Sequence, residues 1–255
     1  MSLDRRTLLA GAGGAVAGVV LPPWTDPPAP RRPLRAVAFD AFPILDPRPV
    51  FGLAETLFPG KGSALSDAWR TRQFEYQWLR ALMGRYEDFW RTTEDALVYA
   101  AALLKLELPS DRRAQLMQAY LELGAWPDAG PALKTLKERG LRLAFLSNMT
   151  DRLLEAGIKN AGLQNVFNEV LSTDRIRSYK PDPRAYQMGV DALKLPREEI
   201  LFVSFAGWDA SGAKSFGYPV FWLNRLGLPP EELGLPPDGS GRDFTDLVRY
   251  IGARG

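Results

Sequence analysis

A chain of 255 residues with 46% hydrophobic content carries enough apolar side chains for one large core, or for a core with an inserted layer. Its 32 basic and 30 acidic side chains nearly cancel, so no net field favours nucleic acid or an anionic membrane surface. Cysteine and histidine are both absent, which excludes disulfides, thiol nucleophiles, Ser-His-Asp hydrolases and nearly every zinc site. The chemistry left uses carboxylates, lysine, arginine, tyrosine, hydroxyls and amides.

The chain opens MSLDRRTLLAGAGGAVAGVVLPPW. Arg5-Arg6 followed by a Gly- and Ala-rich apolar run at 8–21 resembles a twin-arginine export signal over residues 1–24. The run is short for a membrane span. The expectation is export to the periplasm through the twin-arginine pathway, with a membrane tether if the signal stays uncleaved; the bland alternative is an ordinary N-terminal extension. A Pro-rich linker, 25–34, follows.

From Leu34, the run VAF ends in Asp40 and reads as a strand. Residues 63–83 place Leu65, Ala68, Trp69, Phe74, Trp78, Leu79 and Leu82 near helical spacing, and 92–106 and 110–123 continue the pattern. No strand-like stretch interrupts 50–126, which predicts an all-helical insert. A helix at 129–139 leads to the strand LRLAFLSN, ending at Ser147-Asn148. A helix near 151–161 precedes VFNEVLST, a second strand of this half. YKPDPRAYQMGVDAL reads as a loop entering a helix, ILFVSF as a strand, WDASGAKSFG as a short helix, YPVFWLN as a strand and FTDLVRYIG as a closing helix. Strands alternating with helices predict an α/β fold, a doubly wound parallel sheet built from 35–49 and 127–255. Ligands collect at the carboxyl ends of such strands. Asp40, Ser147-Asn148, Lys180 and residues 204–209 would therefore meet on one rim.

The strand-end Asp of FDAF, the strand-end Ser of LSN, the Lys-Pro of YKPDP and the acid of SFAGWD stand in an order that resembles the haloacid dehalogenase superfamily, over roughly residues 35–250. Within it, WRTRQFEYQWLR, YKPDPRAY and WDASGAKSFGYPVFWLNR resemble the type II (S)-2-haloacid dehalogenases. The resemblance implies a Rossmann-like core with a helical cap, no cofactor, no metal, and a small 2-haloacid as substrate. The implied reaction is hydrolysis of short 2-haloalkanoic acids to 2-hydroxy acids through an ester on Asp40. The resemblance assigns the leaving halide to Arg70 and Asn148 and the substrate carboxylate to Ser147. It makes Lys180 the cation that neutralises crowded carboxylates, with Asp209 its partner near the hydrolytic water and Ser204 in the same motif. Phe42, Phe74, Phe89, Tyr186 and Trp208 would wall the substrate. A homodimer is a further implication. Read singly, Arg70 would pass for a solvated helix face, Ser147-Asn148 for a turn, and the aromatics for core.

The family's first motif continues Tyr-Gly-Thr, where this chain has Phe42, Pro43 and Ile44 after Asp40-Ala41. Its fourth reads Ser-Ser-Asn-x-x-Asp, where Phe205 and Ala206 follow Ser204. Met149 occupies a common glycine position. Two alternatives stay open. A magnesium-dependent phosphatase of the superfamily would need acids at position 42 and early in the fourth motif, where Phe42, Ser204, Phe205 and Ala206 stand. A non-catalytic, ligand-binding relative would keep the fold and lose turnover.

Overall fold

The structure is a computed structural model that describes residues 32–254. The expected export signal, 1–24, and residues 25–31 of the expected linker lie outside the described residues.

Strand β1 (Ala36–Phe39) is buried along its whole length, as a strand covered on both faces must be. It pairs in parallel with β2 (Arg142–Ser147) and with β4 (Ile200–Ser204). With β3 (Glu169–Ser172), β5 (Val220–Leu223) and β6 (Gly239–Gly241) these form a six-stranded parallel sheet of order β3-β2-β1-β4-β5-β6. The expected doubly wound sheet is present. Successive side chains alternate between its faces. Val37, Phe39, Phe145 and Val203 pack on one side with Leu133 and Leu247, from α5 (Ala129–Glu138) and α9 (Phe244–Gly252). Ala36, Ala38, Leu146 and Phe202 pack on the other with Tyr186 and Ala210, from α7 (Pro183–Leu193) and α8 (Gly207–Phe216). Helix α6 (Asp151–Asn160) starts at Thr150, whose side chain accepts the Leu153 N–H.

Four helices stand between β1 and α5: α1 (Arg48–Leu57), α2 (Gly62–Leu82), α3 (Phe89–Leu103) and α4 (Ser110–Leu121). Helix α1 was not expected. Its N-cap is Pro47, which offers no capping side chain, and it buries only Val50 and Ala54, one turn apart. Helix α3 begins earlier than its apolar pattern, because the Asp88 side chain accepts the Arg91 N–H and caps it. Helix α2 turns Leu65, Trp69, Gln73 and Gln77 inward at a spacing of four. Leu79 and Leu82, expected on the apolar face, are 47% and 85% exposed. Trp69 locks α2 onto α3 by donating its indole N–H to Thr93 O at 2.8 Å.

The two chain passages joining these helices to the sheet are tied together. Trp126 donates its backbone N–H to Ile44 O at 2.9 Å and its indole N–H to Phe42 O at 3.0 Å. Arg225, paired with Asp128 at 2.9 Å, donates to Pro43 O at 3.2 Å. The loop after Asp40 is thus held at three successive carbonyls. Among the described residues no helix is long and apolar enough to cross a membrane.

Candidate active site

Asp40 is the first residue beyond β1. Its backbone N–H still bonds Val203 O at 2.9 Å, so the ladder holds the main chain while the side chain leaves the sheet. Lys180 Nζ lies 2.9 Å from Asp40 Oδ1 and 2.7 Å from Asp209 Oδ2. The Lys180 side chain is only 1% exposed. Burial pulls its pKa down, but Asp209 and Asp40 outweigh burial and hold it above its ordinary value. Burial pushes Asp209 up, to about 6, and repulsion from Asp40 adds to this against the pull of Lys180 and Tyr186. Asp209 also sits in the first turn of α8, where the helix dipole favours a carboxylate.

The two oxygens of Asp40 are not equivalent. Oδ1 accepts Lys180 and, at 3.4 Å, the Ser147 hydroxyl. Oδ2 accepts only a long bond of 3.4 Å from Phe42 N–H. Oδ2 is the freer, more nucleophilic oxygen.

Asn148 is the organiser behind the nucleophile. Its Oδ1 accepts the Lys180 backbone N–H at 2.9 Å and the Thr173 hydroxyl at 3.2 Å, and its Nδ2 donates to Gln77 Oε1 at 2.8 Å. A residue of β2's end thereby joins the lysine loop to α2. Trp78 adds a second tie, donating its indole N–H to Lys180 O at 3.2 Å.

These groups border a cavity of about 40 Å³. Asp40, Ser147, Asn148, Lys180, Ala206 and Asp209 line it from the sheet, and Arg70, Gln73, Phe74, Gln77, Phe89 and Tyr120 from the helices. Arg70 lies with its guanidinium carbon 5.4 Å from the Phe51 ring centre, and among the described residues no carboxylate pairs with it. Its charge is free for an anion. Phe74 and Trp208 meet edge to face at 5.3 Å and make the apolar end of the cavity.

Phe42 also lines the cavity, so ten of the residues singled out in the sequence meet there. Two stand apart. Tyr186, expected against the substrate, is buried edge-on against Phe202 and reaches the site only through Asp209, donating to Oδ1 at 2.8 Å. Ser204 is fully buried at the end of β4, and its Oγ has no hydrogen-bond partner among the described residues. Ile44, one of the departures noted beside the nucleophile, packs in the core, whereas Phe205 and Ala206 do line the cavity. Phe205 packs against Phe42 with ring centres 6.0 Å apart.

The donor set does not suit a divalent cation. Only two carboxylates meet, an ammonium already bridges them, and among the described residues no three His, Cys, Asp or Glu side chains gather.

A family model for haloacid dehalogenase-like hydrolases matches residues 36–217. The chain is 44% identical over 219 residues to the (S)-2-haloacid dehalogenase of Pseudomonas sp. (strain YL), covering 86% of this chain and 94% of that protein. This chain belongs to the (S)-2-haloacid dehalogenase family. Haloacetate dehalogenase H-2 of Moraxella sp. (strain B) is 42% identical, over 86% of this chain and 98% of that one. Among solved structures, an L-2-haloacid dehalogenase superposes with a TM-score of 0.85 at 45% identity, covering 87% of this chain and all of that one. The L-2-haloacid dehalogenase of Xanthobacter autotrophicus with chloropropionic acid covalently bound superposes with a TM-score of 0.80 at 35% identity, again over 87% of this chain and all of that one.

Several cavity residues of this dehalogenase-family chain went unread in the sequence. Pro47 and Phe51 belong to the unexpected α1 and its cap, and Tyr120 reads as plain core. Gln73 and Gln77 carried a usable signal. They continue the Leu65–Trp69 row, so two amides were due on a buried face.

Proposed function

We propose that the protein hydrolyses short 2-haloalkanoic acids to 2-hydroxy acids without a metal. The observation that carries this reading is the pairing of Asp40, whose Oδ2 accepts only one long bond, with an unpaired Arg70 on the helical wall of the same cavity. Oδ2 attacks C2, the carbon–halogen bond breaks, and halide leaves with the bonding electrons towards Arg70. An ionised carboxylate needs no general base for this step. The product is an ester between Asp40 and the substrate carbon. Water then adds to the ester carbonyl, restoring the Asp40 carboxylate and releasing the hydroxy acid and a proton. Lys180 steadies charge on Oδ1 throughout, and Ser147 stands where it can orient the substrate carboxylate. Kinship with a structure whose ligand is covalently bound supports an ester route.

The test is halide release from chloroacetate and both 2-chloropropionate enantiomers in excess EDTA, followed by one turnover in ¹⁸O-water. Label found in Asp40 and not in the first product supports the ester. Label entering the product directly in that turnover overturns it. Asp40→Asn should abolish release with the fold retained.

We also propose export through the twin-arginine pathway, supported by Arg5-Arg6 and the apolar run behind them. Arg5→Lys with Arg6→Lys should retain the protein in the cytoplasm, and unchanged fractionation would remove the assignment. Whether the exported form is tethered, and whether it pairs as a homodimer, is read in the same preparations by membrane extraction and sedimentation.

A further inference from the structure

Gln77 is fully buried in α2 and lines the cavity. Its orientation is not free. Asn148 Oδ1 accepts the backbone N–H of Lys180 and the hydroxyl of Thr173, so that atom is the oxygen and Nδ2 must face Gln77. Gln77 therefore meets Asn148 with its own oxygen, at 2.8 Å. Its Nε2 is left over, buried and without a hydrogen-bond partner among the described residues. A buried amide nitrogen with no acceptor is costly, and a fold that fixes it through three successive hydrogen bonds has placed a donor for something absent.

We propose that Gln77 Nε2 donates to the halide as it leaves, and so sets how well the site handles poor leaving groups. The inference rests on the dehalogenation reading above. Displacement at C2 is in line, so the departing atom moves away from Asp40 and towards the helical wall. That wall carries Arg70 and Gln77 on one face of α2, two turns apart. Arg70 supplies charge, whereas Gln77 supplies a neutral donor whose position is fixed before the reaction. An acceptor-rich ligand atom could not be held there by Gln77 oxygen, which Asn148 already occupies. The chain of bonds also links this donor to Lys180, so the leaving-group wall and the nucleophile's cation share one rigid support.

Chloride binding to the full protein, read as ³⁵Cl NMR line broadening competed away by bromide, tests the site without turnover. Gln77→Met removes the donor; Gln77→Glu keeps an oxygen for Asn148 and puts a second oxygen in place of Nε2. Each should weaken chloride binding about tenfold, the size of one hydrogen bond to an ion. Each should also lower kcat/KM more for chloroacetate than for bromoacetate, since the poorer leaving group depends more on donors. Equal losses on both substrates with unchanged chloride broadening would mean that Gln77 only supports Asn148, and would overturn the assignment. So would wild-type protein that shows no competed broadening. If Gln77→Met fails to fold, the Gln77→Glu result decides alone. Wild-type protein that binds chloride through Gln77 but releases no halide would sink the dehalogenation reading, and with it the leaving-group role, while leaving Gln77 as a halide donor.

Discussion

Lys180 Nζ stands 2.9 Å from Asp40 Oδ1, so the cation that pairs with the nucleophile also withdraws one of its oxygens from attack. Removing the cation leaves Asp40 and Asp209 facing each other, one of them fully buried. Lys180→Met should cost about 3–5 kcal/mol of stability, as loss of one partner from a buried ion pair does. Urea unfolding measures it. Adding Asp209→Asn should return part of that stability without returning halide release, and strictly additive losses would show that the two residues do not share one charge network.

Asp209 gives a pH dependence with opposite signs for stability and turnover. Its folded pKa of about 6 lies above its ordinary value, so between roughly pH 4 and 6 the folded state binds more protons than the unfolded chain. The stability from that protonation is complete below pH 4 and lost as pH rises through 6. Turnover needs the ionised form beside Lys180 and should fall as pH drops through 6. Urea midpoints and kcat between pH 4.5 and 7.5 follow both. An activity profile flat down to pH 5, or an identical stability profile in Asp209→Asn, would remove Asp209 as the titrating group.

Ala206 is the N-cap of α8 and makes no capping bond, though its extended backbone angles suit one. Ala206→Asn should therefore stabilise the protein by about 1 kcal/mol. The same amide would stand in the cavity wall near the ester, where a polar group can hold the attacking water. Turnover should rise and the pre-steady-state burst of halide should shrink. Higher stability with an unchanged burst would show that water attack does not limit turnover.

Trp69 holds α2 on α3 and meets Tyr120 edge to face at 5.5 Å. Trp69→Ala should cost about 3–5 kcal/mol, the usual loss for truncating a buried aromatic. Trp69→Phe keeps most of the packing but leaves Thr93 O without its donor, and should cost less. Halide release should fall in both, since Arg70 is the next residue on the helix. Thermal unfolding alongside kcat/KM separates the two effects, and full activity in Trp69→Ala would show that Arg70 is placed by other contacts.

What the sequence disclosed follows from how strongly each residue's context constrains it. Short apolar runs bounded by polar residues identified β1, β2, β4 and β5 and set Asp40, Ser147 and Lys180 on one rim, because a buried parallel strand leaves no other place for a carboxylate. Strand β6 was hidden: Gly239-Ser240-Gly241 has no strand preference and pairs with β5 through its backbone alone. Helix α1 was hidden by Pro47, a cap with no side-chain acceptor. Gln73 and Gln77 were passed over because amides usually face water. Leu79 and Leu82 misled in the other direction, since apolar character does not by itself say which side of a helix the neighbouring layer covers. Ile44 adjoins the nucleophile in sequence, yet the turn after Asp40 points it into the core.

The cavity offers an incoming molecule two carboxylates, three amide side chains, two cations, hydroxyls and aromatic faces. A 2-haloacid is an alkylating agent, and in free solution it consumes thiols and imidazoles, the softest nucleophiles proteins own. These 255 residues contain neither. Within this wall the reactive carbon meets no thiol or imidazole, whose adducts water leaves alone, and finds its substitution partner in Asp40, whose ester water can open. The same composition that rules out half the usual hydrolytic machinery removes the two side chains that such compounds most readily consume.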